Sequence, residues 1–526
     1  MDGASQSSSS SDAGQCNDCD AVGPGSSQEI EQRIGHAVAE IIRWVRADCD
    51  QSRLCGFEQS LWPKIALLYR LLVALFLALR HERLDVQSRR AGSGRYRLKD
   101  RFARRRIKTF CGLVEYGRAY LLDERTGHGW FPLDAVLGIT QDGFSLRVIG
   151  LATRLATRVS YGAAVLLFKA FVGWAPSTEA VELLALGLGR RAGSYMEQCP
   201  APDEEGEVLV IEIDGKAIPT ATAAELAKRR GPRQRHAKGC PCGCQRHRGR
   251  QKRRGKQRKR RRKGDKSKNG RSATLVVMYT LKLGPDGLLH GPRNKKVWAM
   301  HGPRQRTFEW ARQQATKRGF PPDTTNTVQI VVDGEKCLQQ RLRKLFPNAI
   351  FTLDVRHAQE RLWKMGRQFH AEGSEELARW VEPLNTLLLA GKIEDLLARL
   401  RELHDAVPRH GPNTKSKRET IAKQIGYLEP RTEMMRYDQY REQDLVLASG
   451  VVEGAARYVV GERLDCAGMR WICERSEPLL QLRCIELNGD WDDFVRWVDD
   501  QNCQELLQQH RVQIRTNQPA KIPKAA

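Results

Sequence analysis

From residue 206 to residue 357 the apolar residues fall into short runs whose order restricts the fold. EVLVIEIDG, ATLVVMYTLKL and NKKVWAMHG read as three consecutive strands, the first a continuous apolar run of the kind that is buried on both faces. RQRTFEWARQQATKRG then reads as a helix, TVQIVVDG as a strand, EKCLQQRLRKLF as a helix and AIFTLDVRH as a fifth strand. A β-β-β-α-β-α-β order excludes a Rossmann domain, whose strands and helices alternate from the start.

The same order matches an RNase H-like sheet. Two of its strands stop on an acid followed by glycine, at Asp214 and Asp333. A later stretch, VVEGAARYVVGERLDCAGMRW, places Glu453 near the start of a helix. An Asp-Gly after a strand is by itself an ordinary turn. Two of them on neighbouring strands, joined by a carboxylate on a helix, bring three acids together from distant segments. Converging carboxylates repel and need a cation, and hard oxygen donors suit Mg²⁺, with Mn²⁺ as a substitute. Two-metal phosphoryl-transfer sites use this arrangement.

Charge points to the partner. The 526 residues carry a formal net charge of +26. Between Lys228 and Arg271 there are 22 Lys/Arg and one acid, Asp265, so this segment holds +21 and the rest about +5. Such a segment meets nucleic acid by phosphate neutralisation, or else is a solvated basic loop. It also holds Cys240, Cys242, Cys244 and His247. These are candidate Zn²⁺ ligands, although C-x-C-x-C crowds a tetrahedral site that prefers two to four intervening residues. The rival reading, flexible thiols without metal, stays open.

The remaining chain divides by composition. Residues 1–27 form a Ser/Gly-rich tail that is expected to be disordered, and residues 28–104 a helical N-terminal domain in which Ser27 caps the first helix. The apolar run LLVALFLAL, residues 71–79, is too short to span a bilayer and reads as part of a buried helix from Leu61 to Leu84. RLKDRFARRRIK, residues 97–108, reads as a basic connector. Residues 105–200 combine a β-hairpin turning near Glu115–Gly117 with a helix pair whose second helix is capped by Ser177, either a helix-turn-helix or an ordinary helical hairpin. The core then runs over 206–357, interrupted by the basic insertion 228–271. An all-α insertion fills 358–444, the last part of the core covers 445–507, and 508–526 is a polar tail. MDGASQSSSSSD lacks the basic start and apolar core of a secretory signal, and the 14 scattered cysteines fit a reducing cytoplasm.

IEIDG, VVDGEKCL, LDVRHAQERLW and SGVVEGAARYVVGERLDCAGMRW, in this order, resemble the DDE transposases of bacterial insertion sequences, with the ISKra type nearest and the ISLre and Mutator-like groups related. The resemblance spans roughly residues 105–500. It implies that Asp214, Asp333 and Glu453 are the metal-binding catalytic triad of an RNase H-like core, and that Asp354 and His357 are an accessory motif. Arg457, four residues after Glu453, would share its helical face and either orient it, touch a phosphate or form a plain i,i+4 ion pair with it. The family's paired-Cys knuckle before the PLD motif has no counterpart in LLDERTGHGWFPLD.

The expected activity is metal-dependent cutting and joining of double-stranded DNA at element ends and targets. It would be carried out by a homo-oligomer without a membrane, on the nucleoid of a bacterial cytoplasm. Two other readings stay open: an RNase H-fold nuclease without strand transfer, and a non-catalytic DNA-binding protein derived from a transposase.

Overall fold

The computed structural model describes residues 22–90, 96–123, 127–221, 271–466 and 469–509. Three expectations lie outside these residues: the tail over residues 1–21, the basic insertion with Cys240, Cys242, Cys244 and His247, and the polar tail from residue 510. The chain divides into two compact units, Met1–Leu188 with Trp491–Ala526, and Gly189–Asp490.

The first unit begins with α1 (Ser27–Asp48) and α2 (Leu54–Arg90). Ser26, one residue before the expected cap, closes α1 with a capping box to Glu29. β1 (Tyr96–Thr109), β2 (Gly112–Asp123) and β3 (Gly129–Trp130) form a three-stranded sheet in that order. The short α3 (Pro132–Val136) follows, and then α4 (Leu146–Arg158), α5 (Tyr161–Val172) and α6 (Thr178–Gly189). The hairpin turns at Phe110–Cys111 rather than near Glu115–Gly117, because Gly112 supplies a φ of +118°. The segment expected as a basic connector is therefore strand β1.

One face of the hairpin, through Ile107, Val114 and Tyr116, packs on Leu71, Ala74 and Leu77 of α2. Tyr69 and His81 of α2 also meet Phe110 and Phe102 of the hairpin, but apolar side chains surround this helix and not all of them are covered. Trp62, Ile65, Leu67, Tyr69, Leu72 and Phe76 stay exposed. The expected burial is corrected, and the helix is longer than the predicted Leu61–Leu84: among the described residues Leu54–Leu84 is the one helix long and apolar enough to cross a membrane by length and composition, and little of it is buried.

Around α3 the chain has an ion network. Asp134 of α3 is buried and takes hydrogen bonds from Arg105, Arg118 and Tyr116. Burial and the neighbouring Arg105 lower the Arg118 pKa to about 10.

In the helical pair α5–α6, Ser160 and Ser177 each accept a backbone N–H as N-caps, the latter as the sequence predicts. The exposed side of this pair is mostly apolar, through Leu166, Leu167, Phe171 and Leu183, with Glu179 and a single cation, Lys169. That chemistry does not suit phosphates. A last helix, Trp491–Gln509, belongs to this unit and packs on α3 and α4, whereas the sequence reading placed it with the core.

The second unit opens with α7 (Ala192–Gln198) and then holds the sheet. Its strands are β4 (Val208–Ile218), β5 (Arg271–Leu283), β6 (Leu289–His301), β7 (Thr327–Val332) and β8 (Ile350–Leu353). The spatial order is β6-β5-β4-β7-β8, with β4, β5 and β6 antiparallel in sequence and β7 and β8 parallel to β4. This mixed sheet has the predicted element order, with α8 (Arg304–Lys317) and α9 (Lys336–Leu345) as the two crossovers. Leu209, Ile211, Val276, Trp298, Ile330 and Leu353 are wholly buried, as their continuous apolar runs require.

A helical segment follows. It comprises α10 (Val355–Gly366), α11 (Glu375–Leu389), α12 (Ile393–Ala406), α13 (Thr414–Leu428), a 3₁₀ turn (Glu429–Met434) and α14 (Tyr437–Glu442). The unit closes with α15 (Gly450–Ala455), a π-helical turn (Ala456–Gly461), α16 (Glu462–Leu464) and α17 (Cys473–Leu487).

Cys484 of α17 is fully buried, and burial pushes its thiol up to about 12. In the native protein iodoacetamide should label the exposed Cys49 and Cys55 and leave Cys484 untouched until denaturant unfolds the second unit. Mass spectrometry of the alkylated peptides checks this.

Candidate active site

The site begins in the register of the three parallel strands. Ile213 pairs with Val332, and Val332 with Leu353. The next residue on each chain is an aspartate: Asp214, Asp333 and Asp354. Three acids thus leave one row at the carboxyl ends of adjacent parallel strands, where open α/β sheets hold their ligands. β4 differs from the expectation here. It does not stop at Asp214 but continues against β5 to Ile218, so only its pairing with β7 ends there.

Each acid is held differently. Asp214 is half-buried, and its Oδ1 accepts from the N–H of Gly215 at 2.6 Å. Asp333 is half-buried and accepts from the N–H of Glu335 at 3.2 Å, an Asx turn. The helical segment braces that turn. Tyr427 of α13 donates to the Asp333 carbonyl at 3.3 Å, and Arg431 of the 3₁₀ turn donates to the Gly334 carbonyl through Nε at 2.9 Å.

Gly334 has a φ of +71°, and a Cβ there would lie 2.3 Å from the Tyr427 hydroxyl and 2.9 Å from the Arg431 Nε. Gly334→Ala should therefore lower stability by about 2–4 kcal/mol, from left-handed strain and overpacking together. The midpoint of urea unfolding measures it, and an unchanged midpoint would mean that the brace gives way freely. Arg304, at the start of α8, pairs with Glu335 on the far side of the turn.

Asp354 is wholly buried and caps α10. Its Oδ1 accepts from the N–H of Arg356 at 2.7 Å, and its Oδ2 from the N–H of Ser449 at 2.9 Å and from the Ser449 hydroxyl. Ser449 is the N-cap of α15, the helix that carries Glu453. The carboxylate after β8 therefore fixes the start of the helix bearing the third acid.

Glu212, which the sequence reading missed, fixes it a second time. It is wholly buried in β4, accepts from the N–H of Val452 at 2.8 Å and takes the Tyr279 hydroxyl at 2.7 Å. Burial raises its pKa, and the hydrogen bonds from Tyr279 and Val452 oppose the rise. Its signal in the sequence is an acid between Ile211 and Ile213 inside an otherwise apolar strand.

These two anchors leave Glu453 exposed beside Val452. Ligand atoms of Asp354, His357 and Glu453 all lie within 4.8 Å of one another, so this group could hold a divalent ion, its donors being two carboxylates and an imidazole. Among the described residues this is the group of three potential ligands that comes together, and Asp214 and Asp333 are not in it. His357 is 30% exposed and lies 3.4 Å from Glu360, one turn along its own helix.

Arg457 is exposed in the π-helical turn directly after α15. Among the described residues it forms no ion pair with Glu453, because the helix changes period between them. The wide turn is filled from behind: the buried Arg483 donates to the carbonyls of Tyr458 at 2.8 Å and Val459 at 2.9 Å. Trp471 is 9% exposed and donates to the Leu464 carbonyl at 2.8 Å, and its backbone bridges Pro219 and Ala221 just beyond β4. It is a packing residue that closes the strand end.

No family model and no curated protein matches this chain. Among solved structures it is similar to a chain of the Drosophila P element transposase strand transfer complex, at 12% identity and a TM-score of 0.30, covering 66% of this chain and 93% of that one.

Proposed function

We propose that the second unit is an RNase H-like catalytic core of the DDE type, and that the protein is a transposase that cuts and joins duplex DNA. The observation that carries this is the row of acids: Asp214 and Asp333 follow paired positions on adjacent parallel strands, and Glu453 stands on a helix tied to β4 by Glu212 and to β8 by Asp354. In this reading Asp214, Asp333 and Glu453 hold divalent ions, Mg²⁺ or Mn²⁺. Asp354 orients Glu453, and His357 lies close enough to share an ion with it. The bound metal would supply Lewis-acid stabilisation of the charged phosphoryl oxygens.

The residues of the chain do the rest. Gly334 lets Tyr427 and Arg431 close on the Asp333 turn and hold it. Asp214 and Asp333 would present their carboxylates at the ends of adjacent strands, and Glu212 and Asp354 stop α15 from drifting. No nucleophilic side chain is required, since water or a DNA 3′-hydroxyl attacks. The basic segment from Lys228 to Arg271 would grip phosphates without sequence preference. The finer assignment, an ISKra-type element protein acting as a homo-oligomer on terminal repeats in a bacterial cytoplasm, belongs to this proposal.

The test is incubation of the full chain with Mg²⁺ or Mn²⁺ and duplex DNA carrying the flanks of its own gene, alongside a target duplex. Cut and joined products support the reading. Cut but unjoined products assign a nuclease, and binding without cleavage assigns a DNA-binding derivative.

A further inference from the structure

We infer that strand β1, and not the helical pair α5–α6, is the surface of the first unit that docks onto duplex DNA. This rests on the reading that the protein acts on DNA, and adds where the first unit touches it. β1 is the outermost strand of its sheet, paired with β2 along its length, and among the described residues its other backbone bridge is at its end, from Lys108 to Phe144. Arg97, Lys99, Arg101, Arg104, Arg106 and Lys108 are all exposed along it. Alternate side chains of a strand stand about 6.7 Å apart, so the cations form a line rather than a cluster.

The pleat explains the line. From Ala103 onward, Arg105, Ile107 and Thr109 turn inward, the first to Asp134, and Arg104, Arg106 and Lys108 turn out. Two register shifts, at Leu98/Asp100 and Asp100/Ala103, each add a residue to β1, and these bulges free Lys99 and Arg101 as well. Among the described residues the acids beside the line are Asp123, buried opposite Tyr96, Asp100, which accepts from the Phe102 N–H, and Glu115, which meets Arg104 at 3.7 Å and Arg106 at 3.0 Å. The surplus is strongly positive. Such a surplus on an edge strand also blocks strand-to-strand aggregation.

Duplex DNA fits this surface. A two-stranded ribbon enters a B-form major groove about 12 Å wide, whereas the major groove of A-form RNA is too deep and narrow to admit it. The alternative surface on α5 and α6 offers one exposed cation, Lys169, among Leu166, Phe171, Leu183 and Glu179, which would bury mostly apolar groups and an acid against phosphates.

The experiment compares three full-length proteins by fluorescence anisotropy over a salt series, each with a 40-base-pair flank duplex and an RNA duplex of equal length. They are the wild type, Arg97→Ser/Lys99→Ser/Arg101→Ser, and a control losing the same charge from exposed helical positions, Arg379→Ser/Lys415→Ser/Lys423→Ser. If the three strand cations reach phosphates, the ribbon variant loses about 2.7 units of salt slope and binds DNA at least about tenfold more weakly at low salt. The control keeps both values.

Coincident slopes for the ribbon variant and the control overturn the inference, and so does equal loss on RNA and DNA duplexes. Cleavage by the wild type is scored in parallel. Uncut flanks with a shifted slope would sink the transposase reading and leave the ribbon standing. Cut flanks with coincident slopes would do the reverse.

Discussion

Asp214→Asn, Asp333→Asn and Glu453→Gln are each expected to lower metal-dependent DNA cleavage by at least about 10³-fold, equivalent to about 4 kcal/mol of transition-state stabilisation. Each change keeps size and hydrogen-bonding reach but removes the negative charge that a hard divalent ion needs. All three side chains are at least partly exposed, so the fold should tolerate the change. Duplex binding should stay within about threefold, because its energy comes from cations elsewhere. Gel assays of a labelled flank duplex, with binding measured on the same preparations, separate the two. Wild-type cleavage by any one variant would remove that residue from the site. Retention by Asp214→Asn and Asp333→Asn together, with loss in Glu453→Gln and His357→Ala, would move the metal to the Asp354–His357–Glu453 group.

Asp354→Ala should have the largest effect on stability of any change near the site, about 3 kcal/mol or more. The carboxylate is wholly buried and takes hydrogen bonds from Arg356, from the Ser449 backbone and from the Ser449 hydroxyl. Deleting it strands buried donors, each costing about 1–3 kcal/mol, and uncaps α10. Asp354→Asn should recover part of the stability, since one oxygen still accepts while the amide faces a donor. Urea unfolding of both variants gives the order. Near-wild-type stability for the alanine variant would show that Ser449 finds another partner. Because Ser449 starts α15, cleavage should fall in both variants even where the protein stays folded, and added Mn²⁺ should not rescue it if the defect lies in the position of Glu453.

How much of this was legible in the sequence depends on whether a signal was local. The five core strands were readable because each is a run of buried apolar residues such as LVIEI or IVV, and their order followed. β1 was not readable. RLKDRFARRR has no apolar alternation, its two bulges break the period, and its apolar partners come from β2 and α2. The hairpin turn was misplaced for a related reason: Gly117 looks like a turn glycine but lies in mid-strand under the Phe102 ring, and Gly112 makes the turn.

In the site, Asp214, Asp333 and Asp354 announce themselves at strand ends. That they share one row is a fact of register, which no local pattern carries. Glu212 was passed over because an acid inside an apolar run reads as an interruption, whereas here its carboxylate holds Val452 from across the sheet. The exposure of α2 was equally hidden, since a helix that is apolar all round gives no sign of how little of it a neighbour can cover.

The return of the last helix, Trp491–Gln509, to the first unit sets an order of assembly on the ribosome. Trp491, Phe494 and Val498 are buried there, and they are synthesised only after the whole of Gly189–Asp490. Domains fold as their sequence emerges. The second unit is thus complete while the first still lacks a wall, and the N-terminal half, though made first, matures last. A chain cut short just before Trp491 would carry every acid of the candidate site and would fail in the unit at the opposite end of the sequence.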